Sequence, residues 1–75
     1  MPLDQSGSER FNALKAWRAA VAKEHNLPAF VVFHDTTLAE MARAKPDSLD
    51  ALAKISGVGA RKLQAYGQEI LRVLS

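Results

Sequence analysis

The residues best placed to do chemistry lie in one run, Leu52-Ala53-Lys54-Ile55-Ser56-Gly57-Val58-Gly59-Ala60-Arg61-Lys62-Leu63. Apolar residues close one helix at Leu52 and Ile55, a Gly57-Val58-Gly59 turn follows, and a second helix opens with Arg61 and Lys62. Glycine admits positive φ in such a turn and lets the backbone come close to a phosphate. Free N–H groups in the first turn of the next helix then face that anion, with the helix dipole behind them. Arg61 and Lys62 add full charges beside the partial ones. This order suits a helix-hairpin-helix grip on a nucleic-acid backbone, and it suits a plain αα-hairpin closed by glycine equally well.

A second candidate surface lies on the first helix. Lys15, Ala19 and Lys23 form a row beside the apolar stripe of Phe11, Leu14, Trp17 and Val21, and the alanines around them leave the cations unobstructed. Arg18 stands at the stripe's margin. It can join Lys15 on the surface or turn inward to Asp35 or to helix carbonyls as a structural pair. Phe30 also has two readings. Periodicity makes it another core aromatic, whereas its place directly after Pro28-Ala29 would let it project as a stacking platform for an unpaired base.

Catalysis finds no support. His34 adjoins Asp35, but adjacent loop residues do not face each other as a base and its orienting partner, and His25 stands alone at a helix end. The acidic residues are scattered, with no metal-ligand spacing and no phosphate loop. No catalytic residue, metal site or cofactor is expected.

The elements that must position these groups are all helical. Ser8 is a good N-cap for a first helix running to about His25, with Asn26 and Pro28 ending it. Pro28 to Phe33 has strand propensity but no second strand to pair with, so it reads as a tight, partly helical segment pinned by Val32 and Phe33. Asp35 or Thr37 caps a helix holding Leu38, Met41 and Ala42, with Thr37 and Glu40 spaced as a capping box. Pro46 stops it at Lys45. Ser48 caps Leu49 to Ile55. Beyond the glycine turn the apolar pattern runs from Ala60 to Leu74, with Gly67 either separating two helices or bending one. The expectation is an all-α domain over 8–75, a compact bundle of about five short helices containing the hairpin turn, with residues 1–7 as a flexible lead-in.

Composition bounds the partners. Ten Lys plus Arg against eight Asp plus Glu give a net charge of +2, too weakly basic for a domain that grips DNA by charge alone. A nucleic-acid partner of modest affinity is allowed, not required. Cysteine is absent, which excludes disulfides and thiolate zinc sites. No apolar run approaches the ~20 residues of a membrane span. A polar N-terminus without a signal-peptide pattern points to a cytoplasmic location, at the nucleoid in a bacterium. A chain of 75 residues can bury only a small core, so a monomer of a few kcal/mol stability is expected.

Taken together, Phe11-x-x-Leu14-x-x-Trp17-Arg18, then Leu27 to Asp35 with Thr37 and Leu38, then Pro46, Leu52-x-x-Ile55-x-Gly57-Val58-Gly59-x-x-Lys62-Leu63 and Tyr66-Gly67 resemble an HRDC domain. These "helicase and RNase D C-terminal" modules occur in RecQ-type DNA helicases and in RNase D. The resemblance covers residues 10–74 in order. It implies a non-catalytic module that helps its parent engage single-stranded or branched DNA, weakly, and tunes substrate choice in repair and recombination. It carries DNA contact onto Lys15, Arg18, Lys23 and Phe30, with Gly57, Val58, Gly59, Arg61 and Lys62 as the other candidate surface. Many relatives have tyrosine at the position of Phe30, so stacking capacity stays while a hydroxyl hydrogen bond is lost. Some members act through protein contacts, which makes regulatory docking on the parent helicase core or on a partner protein, through Glu40, Asp47 and Asp50 and with little direct DNA binding, the alternative reading. In an RNase D the substrate would be RNA.

Overall fold

Asp4 opens the first helix: its carboxylate accepts from the Gly7 N–H at 2.7 Å. The computed structural model describes residues 3–75, and positions 1 and 2 of the expected lead-in lie outside them. The remainder of that lead-in is part of the fold. Leu3 packs against the core, and α1 spans Gln5–Glu24, starting three residues before the Ser8 expected from the sequence. Both Asp4 and Ser8 are good caps, and Leu3 decides between them by burying its side chain.

Asn26, at φ 55°, turns the chain out of α1, as its place before Pro28 suggests. A single helical turn, α2 (Ala29–Val32), follows, and Phe33 leaves it in extended conformation. α3 (Asp35–Ala44) starts at His34 without any side-chain cap, a correction to both expected caps. Asp35 lies inside the helix with its carboxylate on Arg18, Thr37 is buried, and Glu40 pairs with Arg43. Lys45 ends α3 in the left-handed region, ahead of Pro46. Ser48 caps α4 (Leu49–Ala53), its Oγ accepting from the Ala51 N–H at 3.1 Å. α5 (Ala60–Leu74) is continuous through Gly67. Among the described residues there are five helices and no strand, and no helix is long and apolar enough to cross a membrane.

α1 packs along α3 and α5, and α4 closes against α5. Leu14, Leu38, Met41, Leu52 and Ile70 are fully buried between them. Phe33 is 1% exposed, and Trp17 and Tyr66 surround it at ring-centroid distances of 6.2 and 6.1 Å. Trp17 is less central than its place in the stripe suggests. Its indole is only partly buried, and Nε1 donates to Glu69 Oε1 at 3.2 Å on the exposed side. Arg10 ties the far end of α3 to α1 by donating from Nε to the Ala42 carbonyl at 2.7 Å. That is one of the C-terminal carbonyls a helix cannot satisfy internally.

Candidate nucleic-acid interface

Phe30 resolves against its periodicity. Its ring is 59% exposed, while Val32 and Phe33 are buried at 2% and 1%. α2 is too short to show a period, so its inward side is set by which residues the core can take. The Phe30 ring stacks on His34 at 6.1 Å with 29° between planes. The two rings border an open hollow of about 520 Å³ shared with Arg18, Ala29, Asp35 and Thr36.

Arg18 takes the structural of its two readings. It is 9% exposed, and its Nη1 donates to the Phe33 carbonyl at 2.9 Å and contacts Asp35 Oδ1 at 2.6 Å. Nε is buried without a hydrogen-bond partner. The guanidinium therefore pins the α2–α3 joint to α1, and it meets the hollow as a wall rather than as a free surface cation. Removing it leaves the Phe33 carbonyl unsatisfied, at a cost of about 2 kcal/mol. The ion pair itself adds little, because Asp35 is 67% exposed. Urea denaturation of Arg18→Ala is expected to show that loss, and Arg18→Met, which restores the apolar stem, to recover only part of it.

Lys15 and Lys23 are placed differently. Lys15 is partly buried, with Nζ 4.9 Å from the centroid of the Phe11 ring. Lys23 is exposed and lies about two and a half turns beyond Leu14, on the side of α1 opposite the core. The two cations thus diverge round the helix, and they do not line the hollow at Phe30.

The glycine turn packs on the first turn of α3. Gly57 has φ +94°, and a Cβ there would come 2.4 Å from Thr37 Oγ1. Val58 is buried and anchors the turn, its N–H donating to the Ile55 carbonyl at 3.1 Å. Gly59 is different: its φ is −78° and a Cβ would meet nothing within 4 Å. It occupies the N-cap of α5 without a side-chain cap, and no acidic residue stands in the first turn. Leu63 is the first residue of that helix to bond back, to the Gly59 carbonyl at 2.9 Å. The α5 start therefore offers donors and positive potential that no acidic residue of its own first turn absorbs. Arg61 beside it is exposed, whereas Lys62 is half-buried with Nζ 5.2 Å from the Phe33 ring centroid.

Phe33 and the first turn of α3 touch residues of both candidate surfaces. Arg18 holds the Phe33 carbonyl, Lys62 covers its ring, Asp35 and Thr36 line the hollow, and Thr37 backs Gly57. His34 and Thr36 had no sequence signal as site residues, because the chain leaves its helix at Phe33 and spacing rules lapse there. Among the described residues no three His, Cys, Asp or Glu side chains gather as a metal site.

The family model of the HRDC domain matches residues 8–74. The chain belongs to the HRDC family. It is 49% identical over 61 residues to the ATP-dependent DNA helicase UvrD2 of Mycobacterium tuberculosis (strain ATCC 25618 / H37Rv), covering 81% of this chain and 9% of that protein. It is 34% identical over 70 residues to the ATP-dependent DNA helicase RecQ of Pasteurella multocida (strain Pm70), covering 93% of this chain and 11% of that one. Among solved structures, HRDC domain 3 of D. radiodurans RecQ superposes with a TM-score of 0.88 at 35% identity, covering 91% of this chain and 90% of that one. The HRDC chain spans about a tenth of the length of the helicases it matches, the share of an accessory module rather than of a motor.

Proposed function

We propose that this HRDC domain is an accessory nucleic-acid-binding module of a RecQ-like helicase, engaging single-stranded or branched DNA and assisting substrate selection. The observation that carries the reading is the exposed Phe30 ring. A large aromatic held 59% open is a stacking platform for a base, and the α5 start, without a side-chain cap and with Arg61 exposed, is a second surface that suits a phosphate. Bases would stack on Phe30, while the backbone follows Gly57, Val58, Gly59, Arg61 and Lys62, with Lys15 and Lys23 attracting the strand from α1. A net charge of +2 keeps the intrinsic affinity low. Micromolar or weaker binding still serves a tethered module, because the linked motor holds DNA at high effective concentration.

Anisotropy titration of a labelled single-stranded oligonucleotide at low salt tests the proposal. Binding in the micromolar range is expected, weakened on the order of tenfold or more by Lys15→Ala, Lys23→Ala and Phe30→Ala together. No binding at high micromolar protein, or binding indifferent to the three changes, would refute it.

One observation favours a second reading, regulatory docking on the parent helicase core. Leu27 and Val31 are 40% and 42% exposed in the same short stretch as Phe30, more apolar surface than a base platform needs. The acidic surface of Glu40, Asp47 and Asp50 is reduced for that role, since Glu40 pairs with Arg43. Amide-shift changes on adding the catalytic core, with none on adding DNA, would favour this reading.

A further inference from the structure

The hollow at the start of α3 holds a carboxylate, which sets it apart from a phosphate cradle. Asp35 borders it with its side chain 67% exposed, and one of its oxygens is held at 2.6 Å by Arg18. Arg18 is fixed in turn by the Phe33 carbonyl and is itself nine-tenths buried. The carboxylate is therefore oriented by a rigid neighbour and still open to a ligand. It repels an anion. It attracts N–H donors, and the adjacent Phe30 ring offers a face to a planar partner.

Asp35 has acceptor capacity on both oxygens beyond the Arg18 contact, because an ionised carboxylate offers about four lone-pair sites. The nucleobases differ in what they present to such a group on the Watson–Crick edge. Guanine has two neighbouring donors, N1–H and the N2 amino group. Thymine has one N–H between two carbonyl oxygens, which a carboxylate disfavours. Adenine and cytosine each place one amino group beside a ring-nitrogen acceptor. Only guanine matches both carboxylate oxygens at once.

We propose that this hollow is a base subsite with a preference for guanine, the ring stacking on Phe30 and N1–H and N2–H donating to the Asp35 carboxylate. Arg18 is a positioning residue for Asp35. The proposal rests on the nucleic-acid reading above and adds base selectivity to a contact that stacking alone leaves indifferent to sequence.

The test is an anisotropy comparison of a labelled thymine decamer with decamers carrying one central guanine or inosine. A guanine decamer is expected to bind about tenfold tighter than the thymine one, the discrimination of one good bidentate contact. Inosine, which lacks the N2 amino group, is expected to lose most of that gain. Asp35→Asn, with folding checked by circular dichroism, is expected to bring the guanine-to-thymine ratio close to one. Equal binding of guanine and thymine decamers would overturn the proposal while leaving the nucleic-acid reading intact. So would inosine matching guanine, which would mark a stacking preference for purines, and neither comparison needs a variant to fold. If no decamer binds, the nucleic-acid reading fails, and this proposal with it.

Discussion

Replacing Phe33 by alanine is expected to lower stability by about 4 kcal/mol, close to the whole stability of a domain this small. Phe33 is 1% exposed and is the largest fully buried side chain. Its ring meets Trp17 and Tyr66 from two sides, and the Lys62 ammonium lies 5.2 Å from its centroid. Truncation removes the transfer energy of the ring and opens a cavity among aromatics that cannot collapse without moving α5. The thermal midpoint should fall by about 20 °C or more, or the folded signal should vanish at room temperature. Thermal melts followed by circular dichroism read this directly. Phe30→Ala, three positions away, should shift the midpoint little, since its ring is 59% exposed. The contrast separates an aromatic that holds the fold from one that is free to hold a partner.

Gly57→Ala is the second large effect, expected at about 3 kcal/mol. An alanine at φ +94° bears left-handed strain of about 1–2 kcal/mol. Its Cβ would also sit 2.4 Å from the Oγ1 of Thr37, which is buried and has little room to yield. Gly59→Ala gives the opposite outcome. Its backbone is ordinary and its surroundings empty, so a small loss of N-cap preference is offset by reduced unfolded-state entropy, and stability should change by less than about 0.5 kcal/mol. Urea titration of both variants checks the pair. The two glycines look alike in Gly57-Val58-Gly59, yet the fold requires only the first. If a phosphate approaches the backbone at the start of α5, Gly59→Ala should weaken DNA binding with stability unchanged.

The family and the helical class were legible because their signals are local. Pro46, Ser48 and the Gly57 turn punctuate the chain where the backbone needs them, and the stripe Phe11, Leu14, Trp17, Val21 fixes the buried side of α1. What failed to read was decided by tertiary contact. Asp35 and Thr37 are both plausible caps, but Arg18 takes the carboxylate and the packing of Gly57 takes the threonine. α5 does not break at Gly67, because the apolar stripe from Leu63 to Leu74 outweighs a helix penalty of about 1 kcal/mol. That glycine instead makes room for Leu49, whose Cδ2 would lie 2.7 Å from a Cβ there. Periodicity placed Phe30 in the core and misled, since a four-residue helix is too short to carry a period. Arg18 left two outcomes open for the same reason that it matters: a cation at the edge of an apolar stripe turns whichever way a buried carbonyl demands.

That Phe33 carries Arg18 on its carbonyl and Lys62 on its ring was beyond any sequence pattern. The proposed DNA reading is specific about place: it puts bases at Phe30 and phosphates at the α5 start, with Lys15 and Lys23 acting at longer range from α1.

The most direct test is the anisotropy titration of labelled single-stranded DNA at low salt with wild type and Phe30→Ala side by side. The account predicts micromolar-range binding by wild type and a loss of about fivefold or more in the variant, at unchanged thermal midpoint. Equal affinity of the two proteins, or no binding by wild type, would contradict it.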